Sequence, residues 1–264
     1  MSWIVAVSAV GSLREEVVPG DMVLIDSFID RTYKRQNTFF ENGCVGHVQF
    51  GEPICKELRE MLLAACEESG LEQLASEGDA ARVAEREGKT AAGKKCVHMG
   101  GTYVNMEGPA FSTVAESNMH RLLGARVIGM TNLAEARLAR EAEIAFATVA
   151  MSTDYDCWRA GHDAVTVEDV VRTAMANVSV AKQIVANVVP KIAAYVAQHG
   201  GTPKYIANAL DGAIMTAPQC VAPKAIEEIF WIQRFYGGSP ASPSAARWAV
   251  AGFIATAVAA SFAR

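Results

Sequence analysis

Five continuous apolar runs, at residues 3–10, 22–26, 102–106, 125–130 and 144–152, alternate with helical periodicity near 52–69, 112–123, 132–143 and 166–198. Several of the runs are too uniformly apolar to be half-exposed, so they predict strands covered on both faces. Strands alternating with helices restrict the chain to an α/β layer fold with a parallel or mixed sheet. The first run, Trp3-Ile4-Val5-Ala6-Val7-Ser8-Ala9-Val10, predicts a fully buried strand from the start of the chain. No Lys or Arg precedes it, whereas a secretory leader carries a basic segment there, so the expected location is cytoplasmic, with the nucleus open for a eukaryotic source.

Punctuation refines this outline. The 166–198 helix is expected to start at Thr166 as N-cap, with Glu168 and Asp169 in its first turn, and to stop before Gly200-Gly201. Pro190 predicts a kink or a boundary within it. Residues 67–95, rich in Glu, Lys, Arg and Ala, read as a solvated, partly helical insertion. Gly237 to Pro243 reads as a linker, followed by an uncharged segment, Trp248–Ala263, that is shorter than the roughly 20 residues a membrane span needs. The expected division is a catalytic-type domain over 1–236 and a linker with an apolar Ala-rich tail over 237–264. The tail is expected to pack on the domain or on a neighbouring subunit, a membrane tether being the weaker alternative.

Composition removes several function classes. Lys and Arg total 24 against 29 Asp and Glu, a net charge of −5, so no basic surplus favours nucleic acid. The chain is 51% hydrophobic, which excludes general disorder. Its 6 cysteines form no C-x-x-C pair and read as reduced thiols, with neither a metal site nor a disulfide framework expected.

Ligands of open α/β sheets bind past the carboxyl ends of strands. Four such places carry chemistry. Ser8-Ala9-Val10-Gly11-Ser12 offers small residues whose N–H groups can approach an anion. Glu107-Gly108-Pro109-Ala110-Phe111-Ser112 offers an aromatic face. Gly129-Met130-Thr131-Asn132 opens a helix whose N-terminus favours an anion, and Thr153-Asp154-Tyr155-Asp156-Cys157-Trp158 sets two carboxylates among aromatics. Singly, each reads equally as a turn, a core side chain or a helix cap. Together they describe a site for a planar base, a sugar and a phosphate.

The longer motifs around these places resemble the trimeric purine nucleoside phosphorylase family. The matching stretches are Ser8-Ala9-Val10-Gly11-Ser12-Leu13-Arg14-Glu15-Glu16, Pro19-Gly20-Asp21, Ile25 to Thr32, Glu107-Gly108-Pro109-x-Phe111, Ala115-Glu116-Ser117, and Gly124-Ala125-x-Val127-Ile128-Gly129-Met130-Thr131. Ala150 to Trp158 is similar to the branch that cleaves 5′-methylthioadenosine. The resemblance implies a purine nucleoside phosphorylase-like mixed sheet flanked by helices, and phosphorolysis of methylthioadenosine to adenine and 5-methylthioribose-1-phosphate. It implies Asp154 as proton donor to the base and Asp156 as acceptor for its 6-amino group. It also implies substrate contacts from Phe111, Gly129, Met130, Val167, Val170 and His47, the last reaching a neighbouring subunit's site in a homotrimer. Ser8, Ala9 and Thr131 would bind phosphate, a co-substrate, with no cofactor. In that family a first strand, a Gly-rich turn and an Arg-His pair for phosphate would precede Met1. Ala110 and Ala134 stand where the motifs carry Arg and Pro. The alternative is a non-catalytic nucleoside-binding or assembly subunit.

Overall fold

A computed structural model describes residues 2–74, 95–159 and 167–229. Eight strands form one mixed sheet: β1 (Trp3–Ser12), β2 (Met22–Leu24), β3 (Ser27–Arg31), β4 (Glu72–Leu74), β5 (Cys96–Met99), β6 (Thr102–Met106), β7 (Ala125–Gly129) and β8 (Ala145–Asp154). Their spatial order is β3-β6-β7-β1-β8-β2-β5-β4. All five apolar runs are strands. Three further strands, β3, β4 and β5, complete the sheet.

β8 is the axis, with every residue from Ala145 to Thr153 buried. It pairs in parallel with β1, Trp3 opposite Ala145, and antiparallel with β2. β1 departs from the expected full burial: Ser8, Val10 and Ser12 are buried, but residues 3–6 are only half-buried and Val7 is 40% exposed. The reason lies in the pairing. β8 lines β1 from Trp3 to Gly11, whereas β7 meets it only at Gly11 and Ser12.

The helices pack their apolar stripes against this sheet. In α1 (Lys56–Glu68) the buried residues Leu58, Leu62, Ala65 and Cys66 recur at helical spacing and join the main core with Val23, Leu24 and Val97. α2 (Val114–Leu122) opens with a capping box, in which the Thr113 hydroxyl accepts from the Glu116 N–H at 3.2 Å and the Glu116 carboxylate accepts from the Thr113 N–H at 2.8 Å. Thr113→Ala is expected to lower Tm by about 2–4 °C in a thermal melt, since a lost cap weakens a helix by about 1 kcal/mol. α3 (Asn132–Glu141) follows β7 directly. α4 (Val167–His199) runs through Pro190 as one helix, so the proline is not a boundary. It carries Ile184 and Val188, both 0% exposed, into the main core. Short helix α5 (Lys204–Ala207) adds Ile206 to the main core, and α6 (Pro223–Glu228) contributes Ala225 to a satellite cluster of Leu210, Ala213, Val221 and Ile229 with Phe40 and Cys44.

Of the 67–95 segment, Glu67 and Glu68 finish α1 and residues 72–74 form edge strand β4. Residues 75–94 lie outside the described residues, as do Thr166 and the whole 237–264 linker and tail. None of the six cysteines is in a disulfide. Among the described residues no helix is long and apolar enough to cross a membrane, and no group of His, Cys, Asp or Glu could hold a metal ion.

Candidate active site

The site assembles where β1, β7 and β8 end. Parallel pairing puts the ends of β1 and β8 side by side, and a register shift after Val10 sets Gly11 opposite Asp154. β7 arrives antiparallel, with Ile128 opposite Gly11, so Gly129, Met130 and Thr131 turn into α3 beside the same strand end.

Asp154 sits at the edge of the core. Its Oδ2 accepts the Asp156 N–H at 2.8 Å, and its Oδ1 lies 2.6 Å from the Thr153 hydroxyl. Both contacts favour the carboxylate, yet burial outweighs them and raises the Asp154 pKa, with Asp156 adding like charge. The Thr153 hydroxyl has one proton and also lies 3.1 Å from the Val10 carbonyl, which can only accept. Gly11 leaves the room for this arrangement, because a Cβ there would lie 3.1 Å from Asp154 Oδ2 and 3.4 Å from Asp156 Cβ.

Asp156 adopts a left-handed backbone, φ +52°, which turns its side chain away from the strand direction. Its Oδ2 is buried without a hydrogen-bond partner among the described residues, an acceptor set in place for a donor that is not part of the chain. His120 on α2 adds a second such group. It is 4% exposed, neither ring nitrogen has a hydrogen-bond partner among the described residues, and burial, then the charge of Arg31, lowers its pKa, against Asp156 and Glu116. Sequence reasoning missed His120, since one histidine on a helix face carries no signal of what it faces. α2 itself is fixed to the 154–158 loop: Arg121 stacks 3.6 Å over the Trp158 ring, and the Cys157 thiol donates to the Ser112 carbonyl at 3.2 Å.

Ser8 is 7% exposed and Thr131 is exposed at the N-cap of α3, its hydroxyl unused by the helix. They share a neighbour that the sequence reading passed over. Tyr103, 0% exposed on β6, places its hydroxyl 3.1 Å from Ser8 Oγ, and Thr131 lies near enough to work against the rise that burial gives its pKa. Gly129 has its reason here, since a Cβ at that position would lie 1.9 Å from the Tyr103 hydroxyl. Met130 is half-buried against the Glu107-Gly108-Pro109 turn; Gly108 has φ +72°, and a Cβ on it would lie 2.8 Å from Met130 Sδ. Glu107 anchors that turn by accepting the Tyr33 and Lys34 N–H groups, which with Arg35 hold its pKa below the ordinary carboxylate range.

The remaining site candidates are more open. Phe111 is 50% exposed and Val167 42% exposed, while Val170 is half-buried. Ala9 is half-buried on β1. His47 is exposed on a loop whose backbone is pinned to the satellite cluster: its N–H donates to Ala213, next to the Gly46–Ile214 bridge. The structure therefore brings Ser8, Gly129, Met130, Thr131, Asp154 and Asp156 to neighbouring strand ends of one sheet and sets His47 on a separate loop.

Comparison with known proteins places the chain in a family. A family described as the phosphorylase superfamily matches residues 1–190. The chain is 49% identical over 190 residues to an S-methyl-5′-thioadenosine phosphorylase of Geobacter sulfurreducens, covering 72% of this chain and 58% of that protein. A protein of the same name from Bradyrhizobium diazoefficiens is 42% identical over 226 residues, covering 86% and 68%. The chain thus spans well under the full length of these relatives. Among solved structures, a methylthioadenosine phosphorylase from an antarctic soil metagenomic library superposes with a TM-score of 0.70 at 36% identity, covering 87% of this chain and 72% of that one. The Schistosoma mansoni methylthioadenosine phosphorylase in complex with adenine gives 0.68 at 29%, covering 81% and 73%.

Proposed function

The chain belongs to the phosphorylase superfamily, and from that membership we propose that it is a pentosyltransferase that cleaves S-methyl-5′-thioadenosine with phosphate, releasing adenine and 5-methylthioribose-1-phosphate. The observation that carries the reading is the carboxyl pair at the end of β8: Asp154, with its pKa raised by burial, beside Asp156, whose buried Oδ2 has no partner of its own among the described residues.

The N-glycosidic bond breaks as the sugar takes on oxocarbenium character and electrons flow into the purine. A protonated Asp154 donates to N7 and stabilises the departing base. Asp156 accepts from the 6-amino group, so the pair selects aminopurines; a 6-oxo group would meet an acceptor with an acceptor. Phe111 stacks on the substrate, Met130 packs under the ribose beside Gly129, and Val167 and Val170 line the pocket of the 5′-methylthio group. Phosphate is held by the Ser8 and Thr131 hydroxyls and the Ala9 N–H, at the positive end of α3. His47, on its exposed loop, reaches the 5′ pocket of a neighbouring subunit in a homotrimer, and the protein works in the cytoplasm without a cofactor.

The test is adenine release from methylthioadenosine, with and without inorganic phosphate and beside inosine. Release is expected only with phosphate, with inosine cleaved more slowly. Phosphate-independent release would mean hydrolysis, and faster cleavage of inosine would remove the aminopurine role from Asp156. Tight nucleoside binding without turnover would leave a binding subunit.

A further inference from the structure

We infer that the Tyr103 hydroxyl is a positioning group that orients the Ser8 and Thr131 hydroxyls toward one shared anion. This rests on the phosphate reading above for the identity of the anion, but its geometry stands on three independent observations.

The first is reach. Tyr103 belongs to β6, while Ser8 belongs to β1, and β7 lies between them in the sheet. Two strand spacings amount to about 9.6 Å, so the phenol must cross its neighbouring strand to place its oxygen 3.1 Å from Ser8 Oγ. It crosses at Gly129, where a Cβ would lie 1.9 Å from the hydroxyl and 2.6 Å from Cζ. An aromatic ring that merely filled the core would need no glycine under its polar atom.

The second is proton arithmetic. A tyrosine hydroxyl has one proton and accepts at its lone pairs. Either oxygen of the Tyr103–Ser8 contact can be the donor, so the phenolic proton is available to Ser8, and Thr131 lies near enough to act electrostatically on the same phenol. A hydroxyl that accepts this proton keeps its own proton free for an anion. Ser8 has only a long 3.4 Å contact with the Ala9 carbonyl to give up. The Thr131 hydroxyl caps no helix N–H.

The third is permanence. Tyr103 is fully buried, with its ring edge-on to Phe28 at 5.7 Å, so its direction is fixed before any ligand arrives. Burial also raises its pKa, keeping it a neutral donor at physiological pH.

The experiment is Tyr103→Phe, which removes one oxygen and keeps the ring. Losing one buried hydrogen-bond partner is worth about tenfold in affinity. The variant is therefore expected to show a phosphate KM raised about tenfold and a methylthioadenosine KM nearly unchanged. Calorimetric titration of inorganic phosphate into the chain without nucleoside should show the same weakening. Unchanged phosphate binding in the variant, or no phosphate binding by the unaltered chain, overturns the inference. Should Tyr103→Phe fail to fold, the ¹³Cζ resonance of Tyr103 in the unaltered chain is expected to move on phosphate saturation, and a fixed resonance overturns it equally. Phosphate binding with no adenine release would sink the proposed reaction and leave the Tyr103 role standing.

Discussion

Asp154→Asn is expected to lower kcat/KM for methylthioadenosine by about 10²–10⁴-fold, the usual contribution of a positioned proton donor. Asparagine keeps the shape and can offer a neutral N–H to N7, but it has no proton to transfer as the glycosidic bond breaks. The loss should therefore fall mainly on kcat. The pH profile of the unaltered chain provides the second half of the test. Burial raises the Asp154 pKa, so the acid form persists above the ordinary carboxylate range. Activity should hold at lower pH and decline as the pH rises through that raised pKa, and the decline should vanish in Asp154→Asn. Stability carries the same sign. A carboxyl whose folded pKa exceeds its unfolded one favours the folded state fully below the unfolded pKa, and loses that contribution as pH rises through the folded pKa. A variant retaining near-normal kcat, or a high-pH decline that survives the substitution, would remove Asp154 from the proton-donor role.

The carboxyl pair was legible in the sequence because it follows the long apolar run of β8, and residues past a buried strand are candidates on topology alone. What surrounds it was less so. Tyr103 looks like any core aromatic on β6; its meaning depends on Ser8, 95 positions away, and on a glycine in a third strand. His120 is likewise silent until α2 is seen against the 154–158 loop. The strands divide the same way. β8 and β2 announce themselves by continuous apolar residues, since they lie in the middle of the sheet. β3 and β4, the two edge strands, carry Asp30, Arg31, Glu72 and Gln73 and have no such signature. β5 is buried but short, and its Cys-Val-His-Met sequence places a histidine where an apolar residue would be expected.

That histidine leads to the largest stability effect expected in the fold. His98 is 4% exposed and its Nε2 lies 2.9 Å from Asp21 Oδ2, on a residue 2% exposed at the start of β2. The same carboxylate accepts the Val18 N–H at 3.2 Å and the Cys96 N–H at 3.1 Å. One side chain thus satisfies three buried donors and binds β5, with β4 beyond it, to the body of the sheet. Asp21→Ala would leave those donors buried without that acceptor, and breaking one side of a buried polar pair costs about 3–5 kcal/mol. A urea titration should show a loss of that size, with the slope of the transition little changed. Asp21→Asn should fall between, because one amide oxygen can still accept while the NH₂ group faces donors. Combining Asp21→Ala with His98→Leu should recover part of the loss, since the orphaned imidazole is then gone but the Cys96 and Val18 N–H groups remain. A full-sized loss in the double variant would assign the effect to those backbone donors, and a loss below about 1 kcal/mol in Asp21→Ala would mean that water reaches and satisfies the site. The Pro19-Gly20-Asp21 motif thereby gains a physical reason. The Gly20 N–H donates to the Ser152 carbonyl at 2.8 Å, and the Asp21 carbonyl accepts from the Ser152 N–H at 2.9 Å. The residue that ties down β5 is therefore paired through its backbone two positions before Asp154, so this substitution should also loosen the strand end that carries the proposed acid.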